Sequence, residues 1–181
     1  LFGEHAVVHN QPCLVTAIDL RVQVSLETID DQIISIKTPY LKNAQGQTIT
    51  IPIDELWNDK FKNPEIGFLL ASIQKVLLKY DIKPGFRIIT AGPINNFGLG
   101  SSSAITVATI FAFLSLLDIP FDNQLLFDLS YGSVLDVQKL GSGFDVASAV
   151  YGKTLFYQVT KKPEILDLKD MPIIIGHKTN R

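Results

Sequence analysis

The sequence predicts an α+β domain in which helices cover one face of a β-sheet. Three observations carry that expectation. Strand-like segments dominate the first part of the chain, helical periodicities mix in later, and no regular strand–helix–strand alternation links the two. Of the 181 residues, 46% are hydrophobic and 19% charged, which is enough apolar material for a core and excludes whole-chain disorder.

The elements follow in order. Leu1-Phe2-Gly3 reads as the end of a strand, and Val7-Val8 before Asn10-Gln11-Pro12 reads as strand and turn. Residues 13–17 form a mostly apolar run, expected in the same ribbon as residues 21–27. In the latter, Val22, Val24 and Leu26 alternate with Arg21, Gln23, Ser25 and Glu27, the pattern of a half-buried strand. Residues 33–36, 48–53, 86–90 and 154–159 are further strands, with turn chemistry from Gly46, Pro84-Gly85 and Gly152.

Ile66, Leu69, Leu70, Ile73, Val76, Leu77 and Tyr80 share one helical face, and Pro84 follows as a stop. Residues 103–117 are apolar nearly all round and predict a buried helix. They are too short and too polar for a membrane span, which needs about 20 apolar residues. A third helix is expected over residues 125–138, capped by Asp122 or Asn123.

Composition narrows the function. Sixteen basic and eighteen acidic residues give a net charge of −2, with no basic stripe for nucleic acid. Trp57 and the phenylalanines form no stacking ladder for bases. Cys13 is the single cysteine, so neither an internal disulfide nor a cysteine-rich metal site is available, and a reducing, cytoplasmic compartment is expected. The one methionine is Met171, and residues 173–176 are strand-like close to the end of the chain. The expectation is a fragment, lacking something at both ends.

Two clusters carry chemistry. The first is the loop Ile94-Asn95-Asn96-Phe97-Gly98-Leu99-Gly100-Ser101-Ser102-Ser103, which runs into the buried helix. Glycines let a backbone approach a ligand, a helix start offers unpaired N–H groups, and serine hydroxyls can bind phosphate or Mg²⁺. It is not a Walker A loop, lacking Gly-Lys-Ser/Thr, nor a dinucleotide fingerprint, which needs glycine where Ser103 stands. The alternative is a serine-capped helix after a tight turn.

The second cluster is Gly141-Ser142-Gly143-Phe144-Asp145 and the short apolar face after it. Small residues around Asp145 leave room for a substrate whose hydroxyl the carboxylate could orient or deprotonate. The alternative is an aspartate stabilised by a helix dipole. In the opening segment, His5 and His9 share a strand face too far apart to clamp one ion, and Glu4-His5 is either a substrate contact or a surface dipeptide.

Taken together these segments resemble the GHMP kinases. Residues 1–9 are similar to that family's first motif in the form seen in mevalonate kinases, residues 97–104 to its phosphate loop, and residues 141–145 to the segment with the catalytic aspartate. The three stand in the family's order and spacing. The resemblance implies an ATP- and Mg²⁺-dependent small-molecule kinase. Its N-terminal domain, like that of a ribosomal S5 protein, would span residues 1–160. Residues 161–181 would be a linker and the first strand of a C-terminal domain that is absent or only begun.

By position, Gly98, Leu99, Gly100, Ser101, Ser102 and Ser103 would bind ATP, with the Ser102 hydroxyl on Mg²⁺. Asp145 would be the catalytic group, and Glu4, His5 and Ser142 would approach the substrate. Three features depart from the family pattern. Its lysine would precede Leu1. Mevalonate kinases bring a glutamate to Mg²⁺ from the helix before the aspartate, where the nearest acid here is Asp136, offset from the expected position. The third glycine-rich motif is missing.

The isolated fragment is accordingly expected to be inactive. The opening motif favours mevalonate as acceptor, whereas residues 139–147 and 97–102 look more like phosphomevalonate kinase. A phosphorylated acceptor calls for Arg or Lys, for which Arg21, Lys139 and Lys153 are the nearby candidates. A non-catalytic binder on the same scaffold is the competing class. No nucleic-acid or membrane partner is expected, and a homodimer is left open.

Overall fold

The structure is a computed structural model, and it describes residues 1–39, 48–58, 65–92 and 98–168. The expected turn at Gly46, the first residues of the glycine-rich loop (94–97), Met171 and the strand at 173–176 lie outside the described residues. Eleven main elements follow one another among the rest. They are β1 (Cys13–Thr16), β2 (Gln23–Ile29), β3 (Ile33–Lys37), β4 (Thr48–Pro52), α1 (Gly67–Tyr80), β5 (Gly85–Ala91), α2 (Ser101–Leu116), α3 (Asn123–Gln138), α4 (Phe144–Tyr151), β6 (Thr154–Tyr157) and β7 (Glu164–Leu166).

The larger sheet has the order β2-β5-β3-β4, with β5 parallel to β3 and the other pairs antiparallel. Its strands alternate as a one-sided sheet must: Phe86, Ile88 and Thr90 are buried while Arg87, Ile89 and Ala91 are exposed. The inner face meets α1, α2 and α3 in the main core, where Phe86 packs edge-on against Phe113 with ring centroids 4.9 Å apart. On the open face the register sets Glu27 beside Arg87, and the two side chains pair.

The helices form where their periodicity predicts. Ile66, Leu69, Leu70, Ile73, Val76 and Leu77 are all buried, and α1 ends at Asp81 in the left-handed conformation (φ 48°). In α3, Asp122 is the cap, its carboxylate accepting from the Leu125 N–H at 2.8 Å. The expected all-round burial of α2 is only partly met: Phe111 is half exposed and packs edge-on against Phe121. Among the described residues no helix is long and apolar enough to cross a membrane.

Two expectations are corrected. Residues 13–17 and 21–27 do not share a ribbon, because β1 pairs with β6 in a second sheet of order β1-β6-β7. An apolar run and an alternating segment both mark strands, and neither pattern names a pairing partner. The opening segment is not strand and turn throughout: only Phe2 bridges to Leu14, after which residues 4–6 turn and Val7–His9 form a 3₁₀ helix. The Val7 N–H bonds back to the Gly3 carbonyl at 2.9 Å, which buries Val7 beneath the small sheet with Cys13, Val15, Ala147, Leu155 and Tyr157. This second core lies between α4 and the small sheet, and it sets the position of the segment that bears Asp145.

Candidate active site

The starts of α2 and α4 converge on one cleft of about 350 Å³. Gly98, Gly100, Ser101, Ser102 and Ser103 line one side; Gly141, Ser142, Gly143, Phe144 and Asp145 line the other. Val134 and Gln138 of α3 and Val8 of the opening 3₁₀ helix complete the wall. Residues 43 positions apart in the chain thus meet because α4 packs against α2.

Both helices start the same way. Gly100 (φ 77°) precedes α2 and Gly143 (φ 78°) precedes α4, each in the left-handed conformation that glycine adopts without a Cβ penalty. No side chain caps either helix. The serine-capped-helix alternative therefore does not describe α2, whose first N–H groups point into the cleft with the positive end of the dipole. Of the three serines, Ser101 is exposed, Ser102 is intermediate and Ser103 is buried.

The two loops face each other at Gly100. A methyl group there would stand 3.7 Å from the Asp145 Cβ and Cγ and 3.8 Å from its Oδ1. Asp145 therefore faces the glycine-rich turn across the space that a side chain at residue 100 would fill. Asp145 opens to the cleft, yet the surrounding walls displace enough water to raise its carboxyl above the ordinary range. A carboxylate of raised basicity beside an uncapped helix start can take or orient a hydroxyl proton next to a bound anion.

The structure does not bring every predicted residue to this place. Ser142 is buried and lines the cleft. Glu4 and His5 do not line it: both side chains are largely exposed, with His5 Nε2 3.9 Å from Glu4 Oε1. The opening segment reaches the cleft through Val8 instead. Glu4 and Asp145 nonetheless both act on buried Cys13, whose thiol is pushed up chiefly by desolvation and further by these two charges.

Asp136 is engaged elsewhere, its Oδ2 accepting from Lys75 Nζ at 2.6 Å, while α3 turns Val134 and Gln138 to the cleft. Among the described residues no three His, Cys, Asp or Glu side chains group as a metal site. A second, smaller cavity of about 70 Å³ lies behind Ser101 and Ser102, lined by Thr38, Glu65, Ile66 and Phe68 among others.

Sequence reasoning missed Val8, Val134, Tyr131 and Tyr157 here. The tyrosine hydroxyls donate to the carbonyls of Gly141 (Tyr131, 2.7 Å) and Ser142 (Tyr157, 2.6 Å), directly before the α4 start. No local pattern marks them, since one lies in a helix ten residues earlier and the other at the end of a strand beyond α4.

Comparison with known proteins bears on this geometry. Residues 68–153 match the family model of the GHMP kinases N terminal domain. A protein named mevalonate kinase from Pyrococcus furiosus is 34% identical over 98% of this chain and 54% of its own length. The crystal structure of the Methanococcus jannaschii mevalonate kinase superposes with a TM-score of 0.77 at 24% identity, over 92% of this chain and 52% of that one. Streptococcus pneumoniae phosphomevalonate kinase, solved in complex with phosphomevalonate and AMPPNP, superposes with a TM-score of 0.70 at 22% identity, over 86% of this chain and 46% of that one. The structural likenesses speak to the fold. The chain spans about half the length of the curated relatives it matches.

Proposed function

The chain carries a GHMP kinase N-terminal domain, and from that premise we propose that it forms the nucleotide- and acceptor-binding part of an ATP-dependent kinase that phosphorylates the terminal hydroxyl of mevalonate. The observation that carries the reading is that Asp145 faces the Gly100 turn across one cleft. An anion-binding helix start and a proton-accepting carboxylate facing it across one cleft are what phosphoryl transfer to an alcohol requires.

In this reading the ATP phosphates lie over the start of α2, received by backbone N–H groups of residues 98–103 and by the Ser101 and Ser103 hydroxyls. Asp145 orients the acceptor hydroxyl toward the terminal phosphorus and takes its proton as the new P–O bond forms, while the bond from that phosphorus to the bridging oxygen breaks and ADP leaves with the bonding pair. Its raised basicity favours that transfer. Ser142 bounds the acceptor, and Glu4 and His5 are assigned to the outer end of the acceptor site.

Magnesium fits this donor set in one form only. Ser102 supplies a hydroxyl at the cleft, while α3 supplies Val134 and Gln138 and no carboxylate. An ion held by one protein ligand, nucleotide phosphates and its own waters is within the habits of Mg²⁺. When bound, it neutralises charge on the transferring phosphoryl group.

The acceptor assignment rests on charge. Neither arginine nor lysine is among the described residues that line the cleft. Arg21 is committed to Asp19 at 2.7 Å, and Lys139 Nζ donates to the Asp136 carbonyl at 2.8 Å. An acceptor that already bears a phosphate would lack a cation here. The second reading, phosphomevalonate, is favoured by the likeness of residues 139–147. ATP consumption by the full-length protein, measured with mevalonate and with phosphomevalonate side by side, separates them. Turnover with mevalonate alone is expected; turnover with phosphomevalonate alone would replace this assignment, and turnover with neither would favour a non-catalytic binder.

A further inference from the structure

The Gly141-Ser142-Gly143 segment connects α3 to α4 and decides where Asp145 stands, two residues beyond Gly143. Its backbone is held from two separate elements. Tyr131, on α3, donates its hydroxyl to the Gly141 carbonyl at 2.7 Å; Tyr157, on β6, donates to the next carbonyl, that of Ser142, at 2.6 Å. Tyr157 is fully buried, and Ser142 nearly so. A buried carbonyl left without its donor carries the full desolvation penalty, so the second bond strongly favours this loop position.

The fit around Gly143 is close. A Cβ there would stand 3.0 Å from the Tyr131 ring and 3.1 Å from the Tyr157 hydroxyl. The two rings are themselves fixed: Phe127 stacks on Tyr131 with centroids 5.6 Å apart and leans on Tyr157 at 6.4 Å. Tyr157 also pairs in register with Cys13, which ties the loop to the small sheet beside the opening segment.

We propose that Tyr157 and Tyr131 are positioning residues for phosphoryl transfer: their hydroxyls clamp consecutive carbonyls of the Gly141–Gly143 loop and so hold Asp145 in place across the cleft from Gly100. This rests on the kinase reading above. Neither tyrosine touches the reacting atoms; both act through the backbone. Because a displacement near 1 Å at a reacting group can cost about 100-fold in rate, a loop released from its clamp slows transfer without loss of nucleotide binding at α2.

The test compares Tyr157→Phe and Tyr131→Phe with wild type in the full-length protein. It measures kcat, ATP affinity and amide hydrogen exchange at Ala147, whose N–H bonds to the Gly143 carbonyl at 2.9 Å. Tyr157→Phe is expected to lower kcat about tenfold while the ATP dissociation constant stays within about twofold. Exchange at Ala147 quickens, whereas exchange at Ala104, bonded to the Gly100 carbonyl, does not change. Tyr131→Phe leaves the buried hydroxyl in place and is expected to cost about threefold in kcat.

Wild-type kcat in both variants overturns the proposal. So does a loss of kcat and ATP affinity in equal proportion, which is the mark of general destabilisation. If the wild-type protein transfers no phosphate, the kinase reading fails, and exchange decides the clamp alone. Faster exchange confined to Ala147 retains it, and unchanged exchange removes it.

Discussion

Two glycine-serine loops face each other across the cleft, and they use glycine for opposite reasons. At Gly98 (φ 68°) a Cβ would meet nothing within 4 Å, so the bare backbone leaves room that a ligand can fill. At Gly143 (φ 78°) the same Cβ would press on Tyr131 and Tyr157, so the space is already taken by the protein's own side chains. One loop is an open receiver and the other a packed mount for a carboxylate. The lesson is that Gly-x-Gly before a helix describes a backbone conformation, and only the neighbours reveal whether the missing side chain makes way for a ligand or for the core.

The comparison can be broken at its strongest point first. Asp145→Asn in the full-length protein keeps the shape of the mount and removes the base. It is expected to lower kcat by about 10²–10⁴-fold with ATP binding retained. Unchanged turnover would remove Asp145 from the chemistry and with it the kinase reading.

Gly143→Ala tests the packed loop. The left-handed backbone costs an alanine about 1–2 kcal/mol, and the contacts at 3.0 and 3.1 Å add overpacking of about 1–3 kcal/mol. Thermal unfolding should therefore shift down by several degrees, accompanied by loss of transfer. A melting temperature equal to wild type would show that the mount is looser than its geometry.

Gly98→Ala tests the open loop and should behave differently. Only the backbone term of about 1–2 kcal/mol applies, since the Cβ points into free space. Melting should fall less than in Gly143→Ala, whereas ATP affinity should fall more, because the methyl occupies the path of the phosphates. The reverse order in titration calorimetry would exchange the roles of the two loops.

The smallest effect is on stability against pH. Burial raises the Asp145 carboxyl above 3.8, so the folded chain holds that proton more tightly than the unfolded chain does. The resulting stabilisation is fully present below 3.8 and is lost as pH rises through the folded value. Asp145→Asn has no proton to lose. At pH 7 it should therefore melt slightly above wild type, and the gain should vanish in acid. A variant less stable than wild type at pH 7 would mean that the ionised carboxylate is held by favourable contacts.

Much of the architecture was legible residue by residue. The period of 3.6 in residues 66–80 placed five buried side chains on α1 and a sixth, Ile66, at its N-cap, and Asp122 announced the start of α3. Six of the expected strands, from residues 13–17 to 154–159, form close to their expected bounds, the opening segment does not, and β7, three residues long, offered too short a pattern to detect. The candidate site divides the same way. Both glycine-serine loops and Asp145 stood out by composition, and they meet in the cleft. Glu4 and His5 were drawn toward it by resemblance, yet the turn at residues 4–6 leaves their side chains exposed, and it is Val8 that borders the cleft. Asp136 was an acid near the right place in sequence, but Lys75 on the neighbouring helix holds it outside.

The amino-acid sequence by itself determined the elements and the two helix starts, because periodicity, caps and glycine backbone preferences act over a few neighbouring residues. Tertiary structure alone decided that β1 belongs with β6, that β5 runs parallel to β3, that Asp145 faces Gly100 across one cleft, and that two tyrosines grip the loop between α3 and α4. Most of these are pairings between residues far apart in the chain, selected by which buried faces and hydrogen-bonding groups can be satisfied together. Local patterns do not encode that choice.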